Sequence, residues 1–184
     1  MSKLLNVSSS PHVRCGVSTK NLMYDVAIAM LPATIWGVMQ FGIYSLIVVV
    51  ATVLSCVLSE YLFETLMHKP VTISDGSALV TGMILGLNMP PAIPIWMPIL
   101  GGIFAIIVVK QLYGGLGQNW MNPALAARCF MLISFAQAMT KFTDPVTDAV
   151  ASATPLAAIK AGDTYDLAAM FIGKIPGTIG ETSV

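Results

Sequence analysis

Two hydroxyls, one carboxylate and a helix start fall within nine residues of an otherwise apolar chain: Asp148-Ala149-Val150-Ala151-Ser152-Ala153-Thr154-Pro155-Leu156. The intervening side chains are small, so a ligand can approach the backbone closely. The plain reading is a helix cap. Thr154 is a good N-cap, Pro155 suits the first helical position, and residues 156–159 continue as helix formers. The free N–H groups of such a start also favour an anion beside them.

Other residues with chemical potential are scattered. Cys15, Cys56 and Cys129 are isolated in sequence, which suggests neither a disulfide framework nor a zinc or iron–sulfur site. The turn Gly114-Gly115-Leu116-Gly117 lacks the Gly-Lys-[Ser/Thr] of a phosphate-binding loop, and apolar helices rather than a βαβ unit flank it. No catalytic triad, metal-ligand cluster or acid–base pair is visible. Glu60 and Glu64 stand one helical turn apart, and Arg128 lies inside an apolar segment, placed to snorkel or to pair with a carbonyl.

The elements that must position these residues are membrane helices. The chain has 184 residues, 56% hydrophobic and 10% charged, with mean hydropathy +0.80. That balance fits a polytopic membrane protein and not a soluble domain of this length. The net charge is zero, so nothing points to nucleic acid.

Residues 1–20 form a polar arm without a signal-peptide pattern. The membrane part, 21–138, reads as about five apolar segments. The first, 22–40, contains Pro32; the second, 43–67, follows across the tight turn Phe41-Gly42, so the two form an antiparallel hairpin. Residues 78–89 reach only about 18 Å against a hydrocarbon core of roughly 30 Å. This third segment is either extended at its start by residues 75–77, or a broken, half-depth helix. A fourth segment, 93–112, is closed by Lys110, and a fifth, 124–138, opens at an Asn122 cap with Pro123 at the first helical position. Residues 139–184 read as a long polar loop with short helices near 156–161 and 167–171.

Positive charge gives an orientation. Lys3, Arg14 and Lys20 place the N-terminal arm in the cytoplasm, and five alternating spans then put the loop after Met139 outside.

Four stretches together resemble one family. They are Ser74-Asp75-Gly76-Ser77-Ala78-Leu79-Val80-Thr81-Gly82, Gly114-Gly115-Leu116-Gly117 with Asn122-Pro123-Ala124, Ser152-Ala153-Thr154, and Pro176-Gly177-Thr178-Ile179-Gly180-Glu181-Thr182-Ser183. They occur in the order found in the D subunits of Rnf complexes, the ion-translocating ferredoxin:NAD oxidoreductases. Those proteins are homologous to the B subunit of the sodium-translocating NADH:quinone oxidoreductase. Asp148 with Ser152-Ala153-Thr154 resembles the flavinylation motif of this family, departing from it at Ala149, Ala151 and Ser152.

The resemblance implies an all-α polytopic membrane protein, the first half of a two-fold-repeated bundle similar to urea channels. It implies FMN on Thr154 through a phosphoester, outside the cytoplasmic face of a bacterial inner membrane, and a second flavin, riboflavin or FMN, held non-covalently. The implied role is an electron relay among the other Rnf subunits (C, G, E, A and B) while Na⁺ or H⁺ is moved. Members of the family continue past Gly180-Glu181-Thr182-Ser183 into further helices, so the resemblance covers a first half. A channel or transporter half without redox function stays open as the alternative, as does a non-redox scaffold.

Overall fold

The computed structural model describes residues 16–143, 150–151, 160, 167–173 and 175–180. Two long helices come first, α1 (Thr19–Phe41) and α2 (Ile43–Leu66). At 23 and 24 residues they extend about 35 Å, enough to cross a bilayer core. Ser18 caps α1 by accepting the Asn21 N–H at 3.4 Å. Pro32 lies inside α1 without ending it, as membrane helices tolerate where neighbours or hydroxyls serve the freed backbone. Gly42 alone reverses the chain. Its φ of +82° is open to glycine at no steric cost, and its N–H caps α1 on the Val38 carbonyl at 2.9 Å.

The third pass is broken. A 3₁₀ turn (Ile73–Asp75) and Gly76, with φ +77°, lead into α3 (Ser77–Leu87). Eleven residues carry α3 only about 16 Å. The chain continues through Asn88 to Ile95 without helix, yet Met89, Pro90, Pro91 and Ile93 are buried. Of the two readings that the sequence allows here, the broken helix is the one found.

The return pass is α4 (Trp96–Ile103), which widens without interruption into a π-helix (Phe104–Gln111). After the glycine turn, α5 (Pro123–Ser134) starts as expected, with the Asn122 side chain accepting the Ala124 N–H at 3.0 Å and the Leu125 N–H at 3.4 Å. The fifth segment is not one helix through 138. It breaks at Phe135 and resumes for one turn as α6 (Ala136–Met139). Of five apolar segments expected as spans, two among the described residues are long and apolar enough to cross alone.

Beyond Met139, β1 (Phe142–Thr143) pairs antiparallel with β2 (Val150–Ala151), Phe142 opposite Ala151. A short α7 (Leu167–Ile172) stands where the second loop helix is expected; of the first, only Lys160 is described. The stretch 139–184 is not all peripheral loop, because Thr178 and Ile179 are buried in the helical core.

α2 is the centre of the bundle and packs most extensively on α3. Small residues permit this. A Cβ on Gly82 would sit 2.6 Å from Val53 Cα, and one on Gly86 would sit 3.0 Å from Val49 Cα. Such close approach replaces the hydrophobic driving force that lipid cannot supply between helices. Gly82→Ala is therefore expected to push α3 off α2 and cost about 1–3 kcal/mol. Thermal unfolding in detergent checks this against Gly16→Ala, where a Cβ meets nothing within 4 Å. Equal melting of the two variants would remove Gly82 from the contact.

Candidate functional site

The described residues build two polar sites within the apolar bundle. The first lies at the Gly76 end, where α2, the start of α3 and the π-helix meet. Glu60 and Glu64, one turn apart on α2, are both buried. Lys110 Nζ donates to Glu60 Oε1 at 2.5 Å and contacts Ser77 Oγ at 2.5 Å. Gln111 Nε2 donates to Glu60 Oε1 at 2.8 Å and to Glu64 Oε1 at 3.2 Å. Thr72 closes the far side, its N–H on Glu64 Oε2 at 2.9 Å and its hydroxyl on Oε1 at 2.5 Å. Asp75 Oδ1 accepts both the N–H and the hydroxyl of Ser77, at 2.8 and 2.6 Å.

One ammonium thus pairs directly with Glu60, while Glu64 and Asp75 join the cluster through Gln111 and Ser77. Glu60 Oε2 is buried and has no hydrogen-bond partner among the described residues. The π-helix matters here. Its i→i+5 bonding puts more residues in each turn, so consecutive residues rotate less. Lys110 and Gln111 can then both face α2. The backbone pattern continues in the Leu112 N–H on the Ile107 carbonyl and the Gly115 N–H on the Lys110 carbonyl, each at 3.1 Å.

Sequence reasoning singles out Glu60 and Glu64 as a helical pair and takes Lys110 as the end of a segment. It does not join them. The available signal is topological, since the ends of the second and fourth segments and the start of the third must lie at one end of the bundle.

The second site is at the break in the third pass. Arg128 NH1 donates to Asn88 Oδ1, and Asn88 Nδ2 returns to the Ile84 carbonyl at 2.8 Å. The guanidinium therefore meets a side-chain amide at the negative end of α3, where a cation is favoured. Of the readings for Arg128, pairing with a carbonyl is the one found, here the side-chain carbonyl of Asn88. The Ile179 N–H donates to the Met89 carbonyl at 3.1 Å and the Gly180 N–H to the Leu87 carbonyl at 2.8 Å. The Tyr44 hydroxyl donates to the Ile93 carbonyl at 2.9 Å.

Asp148, Ser152, Ala153 and Thr154 lie outside the described residues. The nearest described neighbours are Val150 and Ala151 in β2, held against β1 just past α6. At that end of the bundle, the break between α5 and α6 opens a groove of about 410 Å³. Met97, Ile133, Phe135 and Ala138 line it together with Ser134 and Gln137. Among the described residues no group of three His, Cys, Asp or Glu side chains is placed to hold a metal ion.

The NQR2, RnfD, RnfE family model matches residues 6–184. The chain belongs to this family. Within it, the chain is 46% identical over 185 residues to the D subunit of the Na⁺-translocating ferredoxin:NAD⁺ oxidoreductase complex of Acetobacterium woodii. It is 41% identical over 194 residues to the D subunit of the proton-translocating ferredoxin:NAD⁺ oxidoreductase complex of Clostridium ljungdahlii. A third relative, the D subunit of the ion-translocating oxidoreductase complex of Shewanella denitrificans, is 40% identical over 157 residues. These matches cover 97%, 98% and 84% of this chain, but only 58%, 59% and 45% of the relatives. Family membership and the two long apolar helices are consistent with a membrane protein.

The charged site yields a stability test. Lys110→Met leaves Glu60 buried without its cation, and removing one partner of a buried pair costs about 3–5 kcal/mol. The double variant Glu60→Gln/Lys110→Met removes both charges and should recover much of that loss. If the double variant melts lower than Lys110→Met by the full cost of a second independent lesion, the two residues are not coupled.

Proposed function

We propose that this chain is the flavin-bearing membrane portion of a D subunit in an ion-translocating ferredoxin:NAD oxidoreductase complex. The observation that carries the reading is the acceptor motif ending at Thr154, in a chain whose residues 6–184 match the family. Thr154 is the attachment residue for FMN, through its side-chain oxygen and the FMN phosphate. Asp148, Ser152 and Ala153 complete the motif. FMN supplies the redox chemistry when bound, and the protein binds and orients it. Thr154-Pro155 is a sequence pattern for a helix start, and the first N–H groups of such a start favour a phosphate.

The protein relays electrons among its partner redox subunits while the complex moves Na⁺ or H⁺ across a bacterial inner membrane. The N-terminal arm faces the cytoplasm and the Thr154 loop the opposite side, on the charge pattern of Lys3, Arg14, Lys20 and Lys69. A second flavin, riboflavin or FMN, is bound non-covalently within the same protein. A channel or transporter half is the second reading, and one observation favours it. The third pass breaks inside the bundle at Asn88, as binding sites in transport proteins do.

Flavin attachment separates the two. A phosphoester survives unfolding, so the wild-type chain, produced with its flavin transferase, should fluoresce in a denaturing gel. Thr154→Ala should lose that band, and Ser152→Ala should keep it. A band that persists in Thr154→Ala and vanishes in Ser152→Ala would move the acceptor to Ser152. No band in the wild type would leave the transport reading.

The orientation is checked separately. A reporter fused after Ala161 should behave as extracytoplasmic, and one fused within residues 114–118 as cytoplasmic. The reverse pair would invert the assigned side of the flavin.

A further inference from the structure

We propose that the outward face of α1 around Asp25 is the docking surface for a membrane helix of a partner subunit, one that carries a lysine or arginine at the depth of Asp25. This rests on the reading of the chain as a membrane subunit of a multi-subunit complex. It adds which face meets a partner, and through what charge.

Helix geometry sets the face. α1 turns toward the bundle through Ala27, Thr34 and Gly37. At about 100° per residue, Ala27 and Thr34 lie about 160° and 180° around the helix from Asp25. Asp25 is therefore centred on the side that the bundle leaves uncovered, and it is exposed. Leu22, Ile28 and Met39 flank it on that side, each more than half exposed.

A carboxylate there needs a partner. The helix runs about 35 Å against a hydrocarbon core of roughly 30 Å, and Asp25 lies about 9 Å along it from Thr19. With the helix centred, Asp25 sits about 6 Å inside the core. Lysine and arginine reach back to water along long stems, but an aspartate carboxylate is one methylene from the backbone and stays at its depth. Acids in that setting pair with a cation or face a polar interior. Among the described residues the only ion pair is Lys110 with Glu60. Lys20, the cation nearest in sequence, is about 140° around the helix from Asp25. Its Nζ lies 5.9 Å over the Tyr24 ring instead. The counter-charge for Asp25 comes from another molecule.

A second group on the same face asks for a donor. Pro32 has no N–H, so the Ile28 carbonyl lacks its regular i+4 partner. The Thr34 hydroxyl goes elsewhere, to the Met30 carbonyl at 2.9 Å. Ile28 and Pro32 both lie within about 60° of Asp25 around the helix. Carboxylate and carbonyl are both acceptors, about one turn apart, and a guanidinium or ammonium can serve the two together. A phospholipid tail would serve neither. Ala29 and Ala33, exposed beside them, leave room for a helix to approach closely. The acceptors, not the small residues, name the partner.

The test uses the full-length protein in its purified complex. A photo-crosslinking amino acid in place of Ile28 should join this subunit to another membrane subunit. The crosslinked segment, read by mass spectrometry, should hold a Lys or Arg within one turn of the contact. Asp25→Lys should lower the amount of that subunit that co-purifies several-fold, and Asp25→Glu should retain it. Changing the partner's cation to Glu in the Asp25→Lys background should restore co-purification, which a folding defect would not allow. Full co-purification of every subunit with Asp25→Lys, or crosslinks from position 28 to lipid alone, would overturn the interface. Crosslinks to a second copy of this chain, or to a helix without a nearby Lys or Arg, would overturn the stated partner. A wild-type protein that purifies with no other subunit would overturn the complex reading itself, before any variant is made.

Discussion

Backbone polar groups buried in an apolar bundle find no water, and the end of α3 puts several of them there. α3 stops at Leu87, and its last carbonyls and the extended residues beyond need donors. The remainder of the chain supplies them from distant places. Asn88 turns its own amide back on Ile84, α2 sends the Tyr44 hydroxyl, and residues 179 and 180 send backbone N–H groups. Arg128 on α5 then adds a positive group at the negative helix end. A continuous helix would need none of this, so the break dictates much of the tertiary arrangement. It also explains why Gly37 has no side chain. A Cβ there would collide with the carbonyl and side chain of Ile179, and α1 must leave room for the returning segment.

The polar cluster at the other end of α3 follows the same physics with charges. Ser77 and Asp75 set the helix start, and through Ser77 the start is tied to Lys110, hence to Glu60 on α2. Burying charge is costly, and a buried pair is favourable only when its remaining lone pairs are also served. Gln111 and Thr72 serve most of them. Glu60 Oε2 is the exception among the described residues, so the cluster is under-satisfied at one atom. α3 is thus held at both ends by polar contacts and along its length by close glycine packing on α2.

How much of this is legible in the sequence depends on whether a feature is local. Asn122 and Pro123 read correctly because a cap is decided within four residues. Gly42 reads correctly because a two-residue turn between apolar runs permits only a hairpin. The short third segment is visible from its length, but length alone does not separate an extended helix from a broken one. The partners that settle it, Tyr44 and residues 179–180, lie tens of residues away. Glu60 and Lys110 are 50 residues apart, and nothing in either neighbourhood announces the other. The break at Phe135 escapes notice because residues 124–138 keep an apolar composition through it. Residues 175–180 mislead for the opposite reason, since a Pro/Gly-rich stretch reads as surface loop while its backbone N–H groups are what the core requires. The flavin acceptor at Thr154 comes from motif resemblance and not from fold physics.

Besides α2 and α3, the helix that begins as α4 runs between the two ends of the bundle. α4 begins at Trp96 and Met97, beside the α5–α6 groove, and its π-helical continuation ends at Lys110 and Gln111 on the two glutamates. A helix transmits displacement along its axis more faithfully than a loop does, because each turn is bonded to the next. The π stretch is the part of this rod with the poorest intrinsic stability, and such segments are rare outside functional positions. Shortening any of its i→i+5 bonds to i→i+4 would rotate the residues beyond it, and Lys110 and Gln111 are those residues. The bundle places this π-helical segment directly against its most charged interior site and sets the regular end of the same helix beside the groove.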